Sequence, residues 1–352
     1  MKNTFRFLTA FVLISQLAFS QSIPQKIDSI IKQSFEVKPE VGISLGFIQN
    51  DQEYYTAYGK MSKESQIDIN KNSVFEIASI TKILTSNLIA QAVIGDKLNL
   101  DDYIDSYLPK AYVLNTGLKN KIKISDLGSH QSGLPDIDFR KLIEQNPQQP
   151  VSSLTQESLT EIVNTATELS DYGTYRYSTI GYTLLGQILE NVYEKSYDEI
   201  IREKMINPLQ MTNTFTKDFD IINLTAGYSP EGGSQEAFKW NITAPAGLIK
   251  SNASDMVTYL KSLLDEQTLI GKAATLADEV IYKDERREIG LGTTVITDEA
   301  NTIYFKTGDS MGHSSIICYN KTKNWGIIIL LNQRNSKMRQ VLLGEIYEKV
   351  LK

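Results

Sequence analysis

Ser79 and Lys82 stand three residues apart in Phe75-Glu76-Ile77-Ala78-Ser79-Ile80-Thr81-Lys82, where a strand-like run gives way to a long apolar-patterned segment. A helix is expected to begin there, with Ser79 in its first turn. Positions i and i+3 share a helix face, so the Lys82 ammonium can reach the Ser79 hydroxyl. Serine is a weak nucleophile until a base takes its proton. A lysine is that base once its pKa falls toward neutrality, through burial, the positive end of the helix dipole or a second cation. The chemistry of such a pair is acyl transfer through a covalent serine ester. The tetrapeptide alone is a weak signal: Ser29 and Lys32 repeat it in what reads as a surface helix.

Other stretches could complete a site of this kind. Tyr177-Ser178-Thr179 precedes a helical pattern, and a phenol beside cations can shuttle a proton. The plain alternative is a packed core tyrosine. Lys306-Thr307-Gly308 occurs once, after the strand-like Ile303-Tyr304-Phe305. Lys306 can hold a carboxylate and supply the second cation, and Thr307 can hydrogen-bond that carboxylate. Gly308, without a Cβ, lets a substrate backbone lie against the strand. The alternative is an ordinary strand end with a turn glycine. Acyl transfer also needs two donors aimed at the developing oxyanion. The candidates are the N–H of Ser79, unsatisfied at a helix start, and the N–H of Asp309.

The elements that must position these residues follow from periodicity. A helix is expected over Ile27 to Phe35, then strands over Val41 to Ile48 and Tyr54 to Tyr58 around a turn at Gln49-Asn50-Asp51. Helical patterns dominate from about 98 to 240, including Ser125 to Gly128, Thr155 to Ala166 and Ile180 to Tyr193. Asn146 to Pro150 reads as a loop. A helix over Ala253 to Leu264 opens at Ser251 or Asn252. Strands are expected at Gly290 to Ile296, Thr302 to Phe305, Ser314 to Tyr319 and Trp325 to Leu331, and a last helix at Lys337 to Leu351. The expected fold is α/β of the α+β kind: an antiparallel sheet built from both chain ends and flanked by the N- and C-terminal helices. Its sheet part takes about 21–97 and 241–352, with about 98–240 as a mostly helical insertion.

The chain of 352 residues has a formal net charge of −6, which argues against a nucleic-acid partner. Lys2 and Arg6 precede an apolar run from Phe7 to Phe19, and Ala18-Phe19-Ser20 offers small residues at −3 and −1. This reads as a secretory signal, residues 1–20, cut before Gln21, and predicts a periplasmic or secreted protein. Its removal takes the charge from −6 to −8. The run is short for an uncleaved anchor and holds Ser15 and Gln16, so no stable membrane anchor is expected. The single cysteine, Cys318, reads as a buried small hydrophobe. With it and two histidines, a zinc site is not expected.

Order and context give the three pieces their weight. Ser-x-x-Lys at a helix start, a tyrosine motif in a helical middle and Lys-Thr-Gly on a late strand resemble the penicillin-recognising serine enzymes. The likeness is greatest to the branch of class C β-lactamases, D-alanyl-D-alanine peptidases and related esterases. It spans nearly the whole mature chain, with Ser132-Gly133-Leu134-Pro135, Gly181-Tyr182-Thr183-Leu184-Leu185-Gly186, Pro208-Leu209, Met211-Thr212-Asn213-Thr214, Ala246-Gly247-Leu248 and Ser254-Asp255-Met256 as smaller landmarks. The resemblance implies an exported hydrolase with an acyl-enzyme on Ser79. Lys82 and Tyr177 would handle protons and Lys306 would meet the substrate carboxylate; Thr179, Thr307, Gly308 and Asp309 would line the substrate. It implies no metal or cofactor, a monomer, and a small-molecule β-lactam, D-alanyl peptide or ester as substrate. Lysine at 306, where many peptidases and esterases of the branch carry histidine, points to β-lactam hydrolysis. Slow turnover, as in a penicillin-binding protein, is the alternative. Thr179 departs from the usual asparagine, which reaches further and offers both a donor and an acceptor.

Gly308-Asp309-Ser310-Met311-Gly312 also fits the G-x-S-x-G nucleophile elbow, with Ser310 as nucleophile. An elbow runs into a helix, whereas Ser314 to Tyr319 is strand-like, and His313 is the last histidine. His130, in the Ser-Gly-Leu-Pro region, reads as structural.

Overall fold

The computed structural model describes residues 22–217, 221, 223–298 and 301–352; the expected signal peptide, 1–20, lies outside the described residues. Helix α1 (Ile23–Val37) buries Ile27, Ile30 and Ile31 as one stripe. Strands β1 (Ile43–Gln49) and β2 (Gln52–Tyr58) follow. Asn50 and Asp51 join them at φ 49° and 64°, the left-handed pair that a two-residue hairpin demands. Short β3 (Phe75–Glu76) and a 3₁₀ turn over Ala78–Ile80 lead into α2 (Thr81–Ile94). Every residue from Thr81 to Ala92 is buried, so α2 has no solvent face and runs through the core.

The middle of the chain carries α3 (Ile124–Gly128), α4 (Phe139–Gln145), α5 (Gln156–Asn164), α6 (Thr179–Tyr193) and α7 (Tyr197–Ile201). The small ladder of β4 (Gly227–Tyr228) and β5 (Ser234–Gln235) comes next. After α8 (Ala244–Gly247), β6 (Lys250–Ser251) pairs with β3. Helix α9 (Ala253–Leu264) starts at its Asn252 cap, as expected, and α10 is Leu269–Ala277. The C-terminal strands are β7 (Tyr282–Lys283), β8 (Glu288–Ile289), β9 (Thr294–Thr297), β10 (Thr302–Asp309), β11 (Ser314–Asn320) and β12 (Trp325–Leu331). Helix α11 (Ser336–Ile346) follows.

The main sheet runs β2-β1-β12-β11-β10-β9-β8-β7 and is antiparallel throughout. The β1–β12 pair, with Ile43 opposite Leu331, closes the chain ends on each other. Side-chain alternation sorts the core. Ile43, Leu45, Ile316, Cys318, Ile327 and Ile329 pack on α1 and α11. Ile317, Tyr319, Ile328 and Leu330 pack on the opposite side, with α2 and α9. Strands covered on both faces read as unbroken apolar runs, which is why β12 was legible in the sequence.

Two expectations need correction. The strand expected over Gly290 to Ile296 is interrupted: Gly290 N–H donates to Thr293 O, and Gly292 turns at φ 74°. The strand expected to end at Phe305 runs on to Asp309, because β11 pairs with it along that whole length. Lys306-Thr307-Gly308 therefore lies on the strand, not after it. Among the described residues no helix is long and apolar enough to cross a membrane.

Candidate active site

Ser79 is held one turn earlier than expected. Helix α2 starts at Thr81, and Ser79 sits at the centre of the preceding 3₁₀ turn. Ile77 N–H donates to Ile249 O at 3.2 Å, which fixes the entry beside the β3–β6 ladder. Ala78 then takes φ 45°, a left-handed conformation that is uncommon outside glycine and that often marks a functional turn. Ser79 remains partly exposed between buried neighbours.

Lys82, one turn on, is buried. Its Nζ lies 3.5 Å from Ser79 Oγ and donates to Ala246 O at 2.6 Å. Burial lowers its pKa to about 7, against the opposing pull of Asp136. At neutral pH a large fraction is thus free amine, which can donate one N–H to Ala246 and keep a lone pair.

Tyr177 comes from the loop before α6. Ser178 caps that helix, accepting from Gly181 N–H at 2.9 Å. The Asp136 carboxylate accepts from the N–H groups of Thr179 and Ile180 at 2.8 and 2.9 Å, as an anion at a helix N-terminus should. His130 Nδ1 accepts from Ser178 N–H at 3.1 Å, and its ring lies 4.6 Å from that of Tyr177. Burial, then the charges of Lys306 and Lys82, drive the His130 pKa down; a neutral ring backs the tyrosine loop. So fixed, Tyr177 OH donates to Ser79 Oγ at 2.6 Å.

Lys306 approaches from β10. Its Nζ stands 5.1 Å from the Tyr177 ring centroid, and Lys82 Nζ stands 4.8 Å from the same centroid. Burial lowers the Lys306 pKa to about 8; Tyr177 opposes this and the Lys82 charge adds to it. By strand alternation Lys306 and Gly308 face α2, whereas Thr307 and Asp309 face α11. Thr307 is not among the residues lining the cleft over Ser79. The glycine has a different use from the one expected. A Cβ on Gly308 would lie 2.3 Å from Ile77 O and 3.0 Å from Ser79 N, so what lies against it is the Ser79 turn itself.

Ser79, Tyr177, Thr179 and Asp309 border one cleft of about 620 Å³, with Asp136 and α4 on its other wall. Ser310 N–H donates to His313 O at 3.0 Å. Alternation along the ladder then turns the Asp309 N–H away from β11, to the edge beside Ser79. The structure thus brings Ser79, Lys82, Tyr177 and Lys306 together from four separate elements.

The elbow sequence does something else. Ser310 Oγ donates to Glu76 Oε2 at 2.6 Å, and His313 Nδ1 lies 3.1 Å from the same oxygen. All three are buried, and they tie the β10–β11 turn to the strand entering the Ser79 turn. Sequence reasoning missed Asp136, Glu76, Ala246 O and Arg339, whose Nη1 donates to Gly308 O and Asp309 Oδ1 at 2.8 and 2.7 Å. Each acts through a partner distant in sequence, and no local spacing announces it.

A model of the Beta-lactamase family matches residues 27–350. Protein flp of Staphylococcus aureus (strain MW2) is 24% identical over 321 residues, 88% of this chain and 63% of that protein. The chain thus spans less than two thirds of the length of such relatives. A beta-lactamase of Providencia stuartii is 26% identical over 271 residues, 74% of this chain and 66% of the other. Among solved structures, a class C beta-lactamase superposes with a TM-score of 0.81 at 21% identity, covering 93% of this chain and 96% of that one.

Proposed function

Since the chain belongs to the Beta-lactamase family, we propose that it is an exported serine hydrolase working through an acyl-enzyme on Ser79, with β-lactams as its first substrate class. One observation carries the reading: Tyr177 OH bonds Ser79 Oγ at 2.6 Å while a lysine lowered to about 7 stands 3.5 Å from the same oxygen. A nucleophile within reach of a base poised near the working pH is what acyl transfer requires.

In this mechanism the Ser79 hydroxyl proton passes to the free amine of Lys82, directly or through Tyr177. The Oγ–C bond forms, and the oxyanion meets the N–H groups of Ser79 and Asp309. The amide or ester bond breaks, and the leaving atom takes a proton back from the Tyr177–Lys82 pair. Water then attacks the acyl-enzyme with the same pair as base. Lys306 adds a cation behind Tyr177. Export rests on Lys2, Arg6, the apolar run and Ala18-Phe19-Ser20.

Thr179, at the cleft wall, favours a second reading, in which acylation by a β-lactam outruns release. Intact-protein mass spectrometry with benzylpenicillin tests both. Transient acylation with released penicilloate supports the hydrolase, and a lasting adduct supports the slow acceptor. Ser79→Ala must abolish labelling by penicillin and by a fluorophosphonate; retained labelling would overturn the assignment of the nucleophile.

A further inference from the structure

The residue after Lys306-Thr307-Gly308 is Asp309, which borders the cleft at the end of β10 while its carboxylate turns toward α11. Its Oδ1 accepts from Arg339 Nη1 at 2.7 Å and from Ser314 Oγ at 2.5 Å. Arg339 is buried, and its other Nη1 bond goes to Gly308 O. The buried guanidinium beneath this strand end is therefore engaged by the protein's own anion. No described hydrogen bond falls on Asp309 Oδ2, and the side chain is 31% exposed. Thr307 shares its strand face, about 7 Å away at two residues' rise.

From this we infer that Asp309 is a specificity residue that selects against a carboxylate on the leaving-group side of the substrate, and favours a neutral or cationic group there. The inference rests on the acyl-enzyme reading of Ser79. A substrate whose carboxylate comes to the Asp309 end of the β10 edge meets a like charge instead of the Arg339 fork. A carboxamide is met neutrally, and an ammonium gains an acceptor in Oδ2. Among acyl donors of equal reactivity, β-lactams included, the site then favours those with no carboxylate beside the scissile bond. The cleft also holds Arg140, Glu144 and Arg334. Arg140 and Glu144 line it from α4 and Arg334 from the segment before α11, so the group that tests Asp309 has to sit next to the scissile bond.

The probes are three phenylacetyl thioesters, of mercaptoacetate, mercaptoacetamide and thiocholine, whose leaving groups are anionic, neutral and cationic. Thiocholine has no free amine to take the acyl group, and each kcat/KM is divided by that thioester's own rate with hydroxide. Hydrolysis cleaves the acyl–sulfur bond, and the released thiol is read by colour. In the wild-type protein kcat/KM is expected to be lowest for the anionic leaving group, by about tenfold against the neutral one, and highest for the cationic one. Asp309→Asn and Asp309→Ser should raise the anionic-to-neutral ratio by about tenfold and lower the cationic-to-neutral ratio. A purely structural effect on the oxyanion amide would slow all three alike. An anionic substrate that is equal or preferred in the wild type overturns the inference without any variant, as does a ratio unmoved by both substitutions in folded protein. Thioester turnover by Ser79→Ala would instead overturn the acyl-enzyme reading beneath it.

Discussion

Replacing Lys82 with methionine should abolish catalysis and yet change stability in a way that only a displaced pKa explains. Burial carries this ammonium from its ordinary 10.5 down to about 7. At about 1.36 kcal/mol per pH unit, holding it in the core opposes folding at pH 7 by at most about 5 kcal/mol. Methionine fills similar space without the charge. It leaves Ala246 O without its 2.6 Å donor, a loss of about 1–3 kcal/mol that does not depend on pH. The pH dependence therefore isolates the charge. Between about pH 7 and 10.5 the unfolded chain keeps the Lys82 proton and the folded protein does not, so wild-type stability rises with pH across that window. The variant lacks this slope, while Lys306 is present in both proteins. Urea denaturation at pH 7.5, 8.5 and 9.5 should show the variant's advantage over wild type shrinking by about 2.5 kcal/mol from the first pH to the last. A gap that stays constant would refute the reasoning, because Lys82 would then be charged in the folded protein and could not be the base.

The other expectations follow from the same contacts. Rate against pH for a neutral ester should rise through about 7 as Lys82 loses its proton and fall above about 8 as Lys306 loses its own; a plateau reaching beyond about pH 9.5 would show that the Lys306 charge is not used. Gly308→Ala should destabilise by about 1–3 kcal/mol and slow acylation, because the new Cβ would meet Ile77 O at 2.3 Å; an unchanged melting temperature with full activity would refute that close approach. Glu76→Gln should cost about 1–3 kcal/mol at pH 7. Burial pushes the Glu76 pKa up, but His313, Ser310 and Lys250 outweigh it and hold it below the ordinary value. The wild type's advantage is therefore present above about pH 4.5, lost as pH falls through the lower folded value, and readable in chemical denaturation at pH 3 to 7.

Much of the scaffold was legible because it is written in local pattern. The hairpin at Asn50 and Asp51, the Asn252 cap of α9 and the unbroken apolar run of β12 are each set by residues within a few positions of one another. Ser79 with Lys82 was legible for the same reason, since one helical turn joins them. The remaining site residues could be named from motif and order, but their geometry depends on contacts across the chain. Tyr177 meets Ser79 only because Asp136 and His130, more than forty residues upstream, hold the start of α6. The length of β10, and hence the strand position of Lys306, is decided by pairing with β11, which no property of Thr302 to Asp309 by itself reveals. The purpose of Gly308 appears only when the Ser79 turn is packed against it. The lowered pKa of Lys82 exists nowhere in the sequence, because it is the cost of removing a charge from water, and only the folded core removes it.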